Sequence, residues 1–399
     1  MRSRANTMDA ERSAPSNRET RDLETLIKRF DPARRANVRR LASSSSRVAD
    51  LAIAFPGALY TIACRQSPLR QRQKALELIE TGAPLREVAA TLGLPLWLRR
   101  LPPEAFAGHL ASLPRSDIFT RRIANHLPTS AENSAFWLRS VMFGANACDE
   151  YFALWLAQQA IFLEPGDPER LFGLLAAYAW FSNTDLSRAH GLIVVPWRPE
   201  MAIDTAVCAA KSWLNRMRLV LQLPKGAITD SWLEPGEARG YTFLPLLDHA
   251  SILAEAHAMQ NCADQYADRL ARDKCRLFSI RRRGVRIATL EIGPHPREAG
   301  VLAISQLKAR HNLPASSDIW QAAHTWLGAQ SEIKRASNGV QPERQFDTEA
   351  WSALMATYRA KKAGAAWIPE QADKETFSVL EGGIAELARR AGITSWLFT

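Results

Sequence analysis

The sequence lacks the cysteine pairs and metal-ligand spacings that build small structural sites. Its 399 residues include five cysteines, at positions 64, 148, 208, 262 and 275, and no CxxC pair occurs. An odd and scattered set argues against a disulfide framework or a structural zinc site. No HxxxH or HExxH spacing is present either, so no metal site is predicted. Free cysteines favour a reducing, cytoplasmic location.

Long apolar runs and phosphate-binding loops are also missing. Uncharged apolar stretches such as 151–163 and 171–184 are shorter than the roughly 20 residues that a membrane span needs. Residues 1–20 are polar, with no apolar segment typical of a secretory signal. Neither a Walker-A motif nor a GxGxxG loop occurs. We therefore expect no membrane association and no cofactor.

The pattern of apolar residues indicates a mainly α protein with one small α+β module. Helical periodicity dominates from residue 22 onward and changes to strand-like alternation near residue 275. Five segments follow from the composition and periodicity: a disordered segment at 1–20, a helical domain at 21–195, the α+β module at 196–330, a linker at 331–348 and a helical segment at 349–399. The oligomeric state is not predicted.

Segment 71–100 of the helical domain is similar to a DNA-binding helix-turn-helix. Gly82 ends a first helix and Gly93 follows a second, a spacing that suits this motif. The next residues, 94–100, read Leu-Pro-Leu-Trp-Leu-Arg-Arg. A recognition helix would present polar side chains to base edges. An apolar segment at this place favours packing in a protein core over DNA reading.

The α+β module is predicted to contain a three-stranded antiparallel meander. Strand-like runs at 275–281 and 286–292 flank an Arg-Arg-Gly turn, and a third run lies at 301–307. A helix is predicted before the sheet, at 252–270, and another after it, at 318–329. The sheet would therefore pack on helices.

An ordered set of residues in this module resembles the PcfJ-like protein family. The set comprises Met259-Gln-Asn-Cys-Ala-Asp-Gln-Tyr266, Cys275-Arg-Leu-Phe-Ser-Ile280, Ala288-Thr-Leu-Glu-Ile292 and Gln306-Leu-Lys-Ala-Arg-His-Asn312. The resemblance covers residues 254–326 and extends more loosely upstream to about residue 197. Many members carry histidine where this chain has Asn261. The resemblance implies an association with mobile DNA elements in some members and no settled activity.

Five residues of the same set form a candidate catalytic constellation. Cys262 and Tyr266 share a face of the predicted helix with Arg269. The remaining members are Glu291 and Gln306 on neighbouring predicted strands, and Asn312 just beyond the sheet. A thiol beside arginines can serve as a nucleophile. The alternative is that Cys262 and Tyr266 belong to an apolar stripe that packs the helix on the sheet.

Basic residues at the same module point to an anionic partner. The net charge is +10, and residues 259–312 hold eleven Lys or Arg against five Asp or Glu. The predicted nucleic-acid contacts are Arg281, Arg282, Arg283, Arg286, Lys308 and Arg310. Two hypotheses follow: an accessory protein associated with nucleic acid or mobile elements, or an enzyme that uses the five-residue constellation.

Overall fold

A computed structural model describes residues 17–184, 187–298, 300–330, 344–362 and 367–393. The chain divides into two compact units, residues 1–168 and residues 169–399. Residues 1–16 of the predicted disordered segment 1–20 lie outside the described residues. From Asn17 the chain is already helical, so the helix begins earlier than predicted. Among the described residues, no helix has both the length and the apolar character needed to cross a membrane.

The first unit is built from helices. They are α1 (Asn17–Ile27), α2 (Arg35–Ala42), α3 (Ser46–Ala54), α4 (Pro56–Ala63), α5 (Leu69–Glu80), α6 (Leu85–Leu92), α7 (Asp117–Ile123), α8 (Ala131–Ala147) and α9 (Glu150–Ala160). Polar residues cap several N-termini by accepting a backbone N–H. Examples are Ser45 on α3, Ser116 on α7 and Asp149 on α9. These caps fix where each helix begins.

The helix-turn-helix-like segment does not supply a recognition helix. Helices α5 and α6 are joined through Gly82, and α6 ends at Gly93, whose φ of +68° needs glycine. The next element is a short 3₁₀ turn, Leu96–Arg100, in which Trp97 and Leu98 are buried. The Trp97 indole donates a hydrogen bond to the carbonyl of Pro114. The segment therefore packs in the core of its unit, the alternative that its apolar sequence favoured.

The second unit combines its sheet with helices. They are α10 (Pro168–Ser182), α11 (Ile203–Gln222), α12 (His249–Met259), α13 (Ala267–Ala271), α14 (Ser317–Gly328), α15 (Thr348–Lys361) and α16 (Lys374–Arg390). The unit begins at residue 169, before the predicted start of the α+β module at residue 196, and the predicted limits of the module stay a prediction. Residues 331–343 of the predicted linker, and residues 363–366 and 394–399 of the predicted helical segment 349–399, lie outside the described residues.

The prediction of a three-stranded meander is wrong in the number of strands. The described residues form a five-stranded antiparallel sheet in the order β1-β2-β3-β4-β5. Its strands are β1 (Gly236–Ala238), β2 (Tyr241–Pro245), β3 (Arg276–Arg282), β4 (Val285–Pro294) and β5 (Leu302–Ala309). The last three match the predicted runs. The first two are too short to show alternation, and pairing of β2 along β3 extends the sheet.

The single helix predicted at 252–270 is also wrong, because the chain breaks after Met259. Gln260 adopts a left-handed conformation, with φ +48°, that ends α12. A 3₁₀ turn, Cys262–Gln265, follows and leads into the short helix α13. The Asn261 side chain caps this turn by accepting the backbone N–H of Ala263 at 3.2 Å. Cys262 and Tyr266 consequently do not share the face of one continuous helix.

Each face of the sheet packs against a different set of helices. On one face Phe243, Phe278 and Leu290 meet Ile319 and Trp326 of α14. On the other face Leu277 packs with residues of α11, α12 and α13. The α14 side therefore holds most of the apolar residues of β3 and β4, whereas the other face carries Leu277 and the polar residues Thr289 and Glu291 beneath α12 and α13.

We expect Trp326→Ala to lower the free energy of unfolding by about 3–5 kcal/mol. The Trp326 ring is 2% exposed, lies 4.6 Å from Phe243 in parallel stacking and meets Phe278 edge-on. Its indole N–H has no partner among the described residues. Trp326→Phe should therefore cost below about 1.5 kcal/mol. Urea unfolding of both variants measures the two losses, and equal losses would contradict this packing role.

Candidate functional site

The five residues of the predicted constellation line one cleft. It lies between the sheet and the α12–α13 segment and is open to solvent. Strand register explains part of this convergence, because Glu291 of β4 pairs with Gln306 of β5. The other members arrive from the 3₁₀ turn and the loop after β5. The lining residues are Asn261, Cys262, Ala263, Tyr266, Leu277, Thr289, Glu291, Gln306, Lys308 and Asn312.

The carboxylate of Glu291 is held between an arginine and a phenol. Its side chain is 2% exposed, and Arg269 forms an ion pair with one carboxylate oxygen. The Tyr266 hydroxyl donates to the other oxygen at 2.9 Å. Burial, together with the neighbouring Glu291 charge, raises the pKa of Tyr266 far above its usual range. Tyr266 is therefore a neutral hydrogen-bond donor, and Glu291 already has two partners.

Cys262 faces an amide instead of a base. The Asn312 carboxamide oxygen accepts hydrogen bonds from the Cys262 backbone N–H at 3.3 Å and from its thiol at 3.4 Å. Burial is the main cause that raises the pKa of the Cys262 thiol. At neutral pH the group is consequently a protonated thiol.

The loop that carries Asn312 has a strained backbone. His311 and Asn312 both have φ of +58°, the left-handed region that non-glycine residues rarely adopt. Gln260, on the other side of the cleft, has φ +48°. Such positions cost on the order of 1–3 kcal/mol and persist where the surroundings determine them. Here they direct the Asn312 amide toward Cys262.

A second polar network, missed in the sequence, lies beside the cleft. Glu255 of α12 is fully buried and accepts hydrogen bonds from Arg286 and from the Thr289 hydroxyl, both at 2.9 Å. Asn261 in turn donates to the Thr289 hydroxyl at 2.8 Å. A glutamate on a helix does not by itself indicate burial. The available signal was that Glu255 lies four residues before Met259, on the same face of α12.

Asp264 forms a third buried acid–arginine pair. Its carboxylate accepts from the Arg216 guanidinium of α11 at 2.9 Å, and both side chains are largely buried. Burial raises the pKa of Asp264 although the arginine opposes that change. The two networks and this pair together fasten α11, α12 and the 3₁₀ turn to the sheet. Every buried carboxylate around the cleft thus has an arginine partner.

Most of the predicted nucleic-acid contacts lie at one end of the sheet. Arg283 and Gly284, with φ of +51° and +80°, form the two-residue turn between β3 and β4. Arg282 and Arg283 are exposed, and Arg310 is exposed just beyond the end of β5. Arg281 is half-buried and donates to the Ser279 hydroxyl. Two of the predicted contacts do not belong to this group at the end of the sheet. Arg286 is paired with Glu255, and Lys308 lines the cleft.

A second Arg-Gly turn at the same end was missed. Arg239 and Gly240, with φ of +51° and +78°, join β1 to β2. Because Thr242 of β2 pairs with Arg281 of β3, this turn lies beside the β3–β4 turn. The signal in the sequence was Gly240, because glycine readily adopts the positive φ that a two-residue hairpin turn needs.

Comparison with protein-family models, with curated proteins and with solved structures finds no match to this chain. The resemblance to PcfJ-like proteins therefore stays a prediction. In the described part of the chain, no three His, Cys, Asp or Glu side chains are grouped as metal ligands. The candidate site is thus defined by the cleft and by the arginines at the end of the sheet.

We expect Tyr266→Phe to destabilise the protein by about 1–3 kcal/mol, because the buried Glu291 carboxylate loses a donor. Tyr241→Phe is the matched control, since the Tyr241 hydroxyl donates at 2.6 Å to the exposed Asp318. That variant should lose less, because water can replace the bond. Urea unfolding at neutral pH measures both variants. A larger loss for Tyr241→Phe would refute this role for Tyr266.

We expect the alkylation rate of Cys262 in the folded protein to keep rising with pH beyond the ordinary thiol value of 9.0, because its pKa is raised. In the urea-unfolded chain the rate should level off at lower pH, since the thiol is then solvated. Iodoacetamide labelling with site-resolved mass spectrometry gives both profiles. A plateau in the folded protein below about pH 8 would instead indicate an activated thiolate.

Proposed function

We propose that this protein is a PcfJ-like accessory protein that associates with nucleic acid or with mobile DNA elements and acts in the cytoplasm. The observation that carries the proposal is the set of arginines at the turn end of the sheet, named here the basic sheet end. Its members are Arg239, Arg281, Arg282, Arg283 and Arg310. Cys64, Cys262 and Cys275 are free thiols, which supports a reducing location.

The arginines of the basic sheet end are available for an anionic partner. None of the five forms an ion pair with a described residue, whereas Arg269 and Arg286 are held by buried carboxylates. Two acidic residues lie nearby: Glu237 accepts from Thr242, and Asp318 accepts from Tyr241. The basic residues outnumber the acidic ones, and guanidinium groups match phosphate geometry well.

The surface supports contacts with phosphates and not with bases. Arg282 packs over the Tyr241 ring at 5.3 Å, and that ring is 5% exposed. A ring so covered presents no face on which a base can stack. The helix-turn-helix-like segment likewise places Trp97 in a core and not in a groove. Sequence-independent binding through the backbone follows from this arrangement.

We expect the triple variant Arg239→Gln, Arg282→Gln, Arg283→Gln to reduce the slope of log K against log salt by about two to three units on duplex DNA. The reason is that each lost phosphate contact releases one counterion fewer. Affinity should fall by similar factors on unrelated sequences, since phosphate contacts carry no base information. A salt titration by fluorescence anisotropy measures both effects.

The matched control replaces Arg188, Arg198 and Arg389, which are exposed elsewhere in the same unit, with glutamine. It changes net charge equally and should leave the salt slope close to that of the wild-type protein. Equal slopes for the two triple variants would assign binding to overall charge. Absence of binding by the wild-type protein at about 50 mM salt, where electrostatic association is favoured, would remove the proposal.

A second candidate function is an enzyme that uses the cleft. It is favoured by one observation, the convergence of Cys262, Tyr266, Glu291, Gln306 and Asn312 on the same cleft. The protonated thiol and the paired carboxylate oppose nucleophilic catalysis in this state. The pH profile of Cys262 alkylation separates the two candidates, because an activated thiolate would support the enzyme.

A further inference from the structure

Three hydrogen-bond donors at the cleft have no acceptor among the described residues. They are the Lys308 ammonium and the amide nitrogens of Gln306 and Asn312. Each amide oxygen faces the protein: that of Gln306 lies 3.4 Å from the Tyr266 hydroxyl, and that of Asn312 accepts from Cys262. The NH₂ ends therefore point away from these partners, and the cleft offers donors in excess of acceptors.

The charges around the cleft leave a single positive group. Glu291 is neutralised by Arg269, and Glu255, just behind Thr289, is neutralised by Arg286. Among the residues that line the cleft, Lys308 is the charge without a described counter-ion. A ligand with one negative charge would balance it, whereas a dianion would place extra charge near the buried carboxylates.

The floor of the cleft is apolar and its rim is polar. Ala263 and Leu277, each 2% exposed, form part of its lining, with the polar groups of Lys308 and Asn312 around them. Pockets that bind small molecules combine such a lining with a few placed polar groups. The strained left-handed conformation of Asn312 holds one of these groups in position.

We propose that the cleft binds the carboxylate of a small organic acid, with Lys308 as its counter-ion and the amides of Gln306 and Asn312 as donors. A carboxylate carries one charge and accepts several hydrogen bonds through its two oxygens, which matches this set of donors. The site is separate from the basic sheet end, and the inference does not rest on nucleic-acid binding.

The test is protection of Cys262, which lines the same cleft, from iodoacetamide. Sodium acetate is the probe, and sodium chloride and inorganic phosphate are used at equal ionic strength and pH. If acetate binds with Kd on the order of 10 mM, then 100 mM acetate should slow labelling of Cys262 by about tenfold relative to chloride, by mass action. Equal rates in acetate and chloride, or stronger protection by phosphate, would overturn the assignment.

Two variants show whether the proposed donors cause the protection. Lys308→Gln removes the charge, and Asn312→Gly removes the amide while keeping a residue suited to positive φ. Each is compared with its own rate in chloride, and each should lose most of the protection. Lys274→Gln, an exposed lysine outside the cleft, is the matched control and should keep it. Full protection in Lys308→Gln would overturn the proposal, as would its loss in Lys274→Gln. The variants of the basic sheet end should keep full protection.

Discussion

Three carboxylates buried beneath one face of the sheet govern how the second unit is assembled. Glu255, Asp264 and Glu291 are each almost fully buried, and each meets an arginine from another element. An isolated charge in such a place is very costly, and removal of one partner of a buried pair typically costs about 3–5 kcal/mol. The pairs are therefore satisfied only when α11, α12, α13 and β4 take their observed places. Packing of the helices and formation of the cleft follow from the same constraint.

The same pairs decide which basic residues remain for a partner. In the sequence Arg281, Arg282, Arg283 and Arg286 form one basic run. Strand alternation and the turn at Gly284 separate them: Arg286 points to Glu255 beneath the sheet, whereas Arg282 and Arg283 project from its end. A count of arginines consequently overstates the charge available for binding. Arg239, from a distant part of the sequence, adds a positive charge at the same end of the sheet.

The sequence allowed much of the sheet and the cleft to be predicted. Alternation in β4 indicates that Ala288, Leu290 and Ile292 share one face and that Glu291 lies on the other, where it pairs with Gln306 of β5. The antiparallel sheet of β3, β4 and β5 was therefore predictable from the local sequence pattern. The approach of Cys262 and Tyr266 to these strands did not follow from the predicted helix, because the two residues lie on and just after a 3₁₀ turn.

Other features depended on contacts that no local pattern encodes. The break at Gln260 replaces a helix that periodicity favoured, because capping by Asn261 and the Asp264–Arg216 pair stabilise a 3₁₀ turn there. β1 is three residues long and gains its place only by pairing with β2. The burial of Glu255 depends on Arg286, which lies 31 residues away in the sequence.

The end of β5 joins the two candidate sites. Lys308 and Arg310 are two residues apart, yet Lys308 faces the cleft and Arg310 lies beyond the last strand pair, Ala288 with Ala309. The 3₁₀ turn at Arg310–Asn312 then reverses the chain, so that Asn312 returns to Cys262. Within residues 306–312, Gln306, Lys308 and Asn312 thus provide hydrogen-bond donors or charge to the cleft. Arg310 of the same segment belongs to the basic sheet end. Its left-handed residues, His311 and Asn312, are what allow both, since an extended continuation would carry Asn312 away from the cleft.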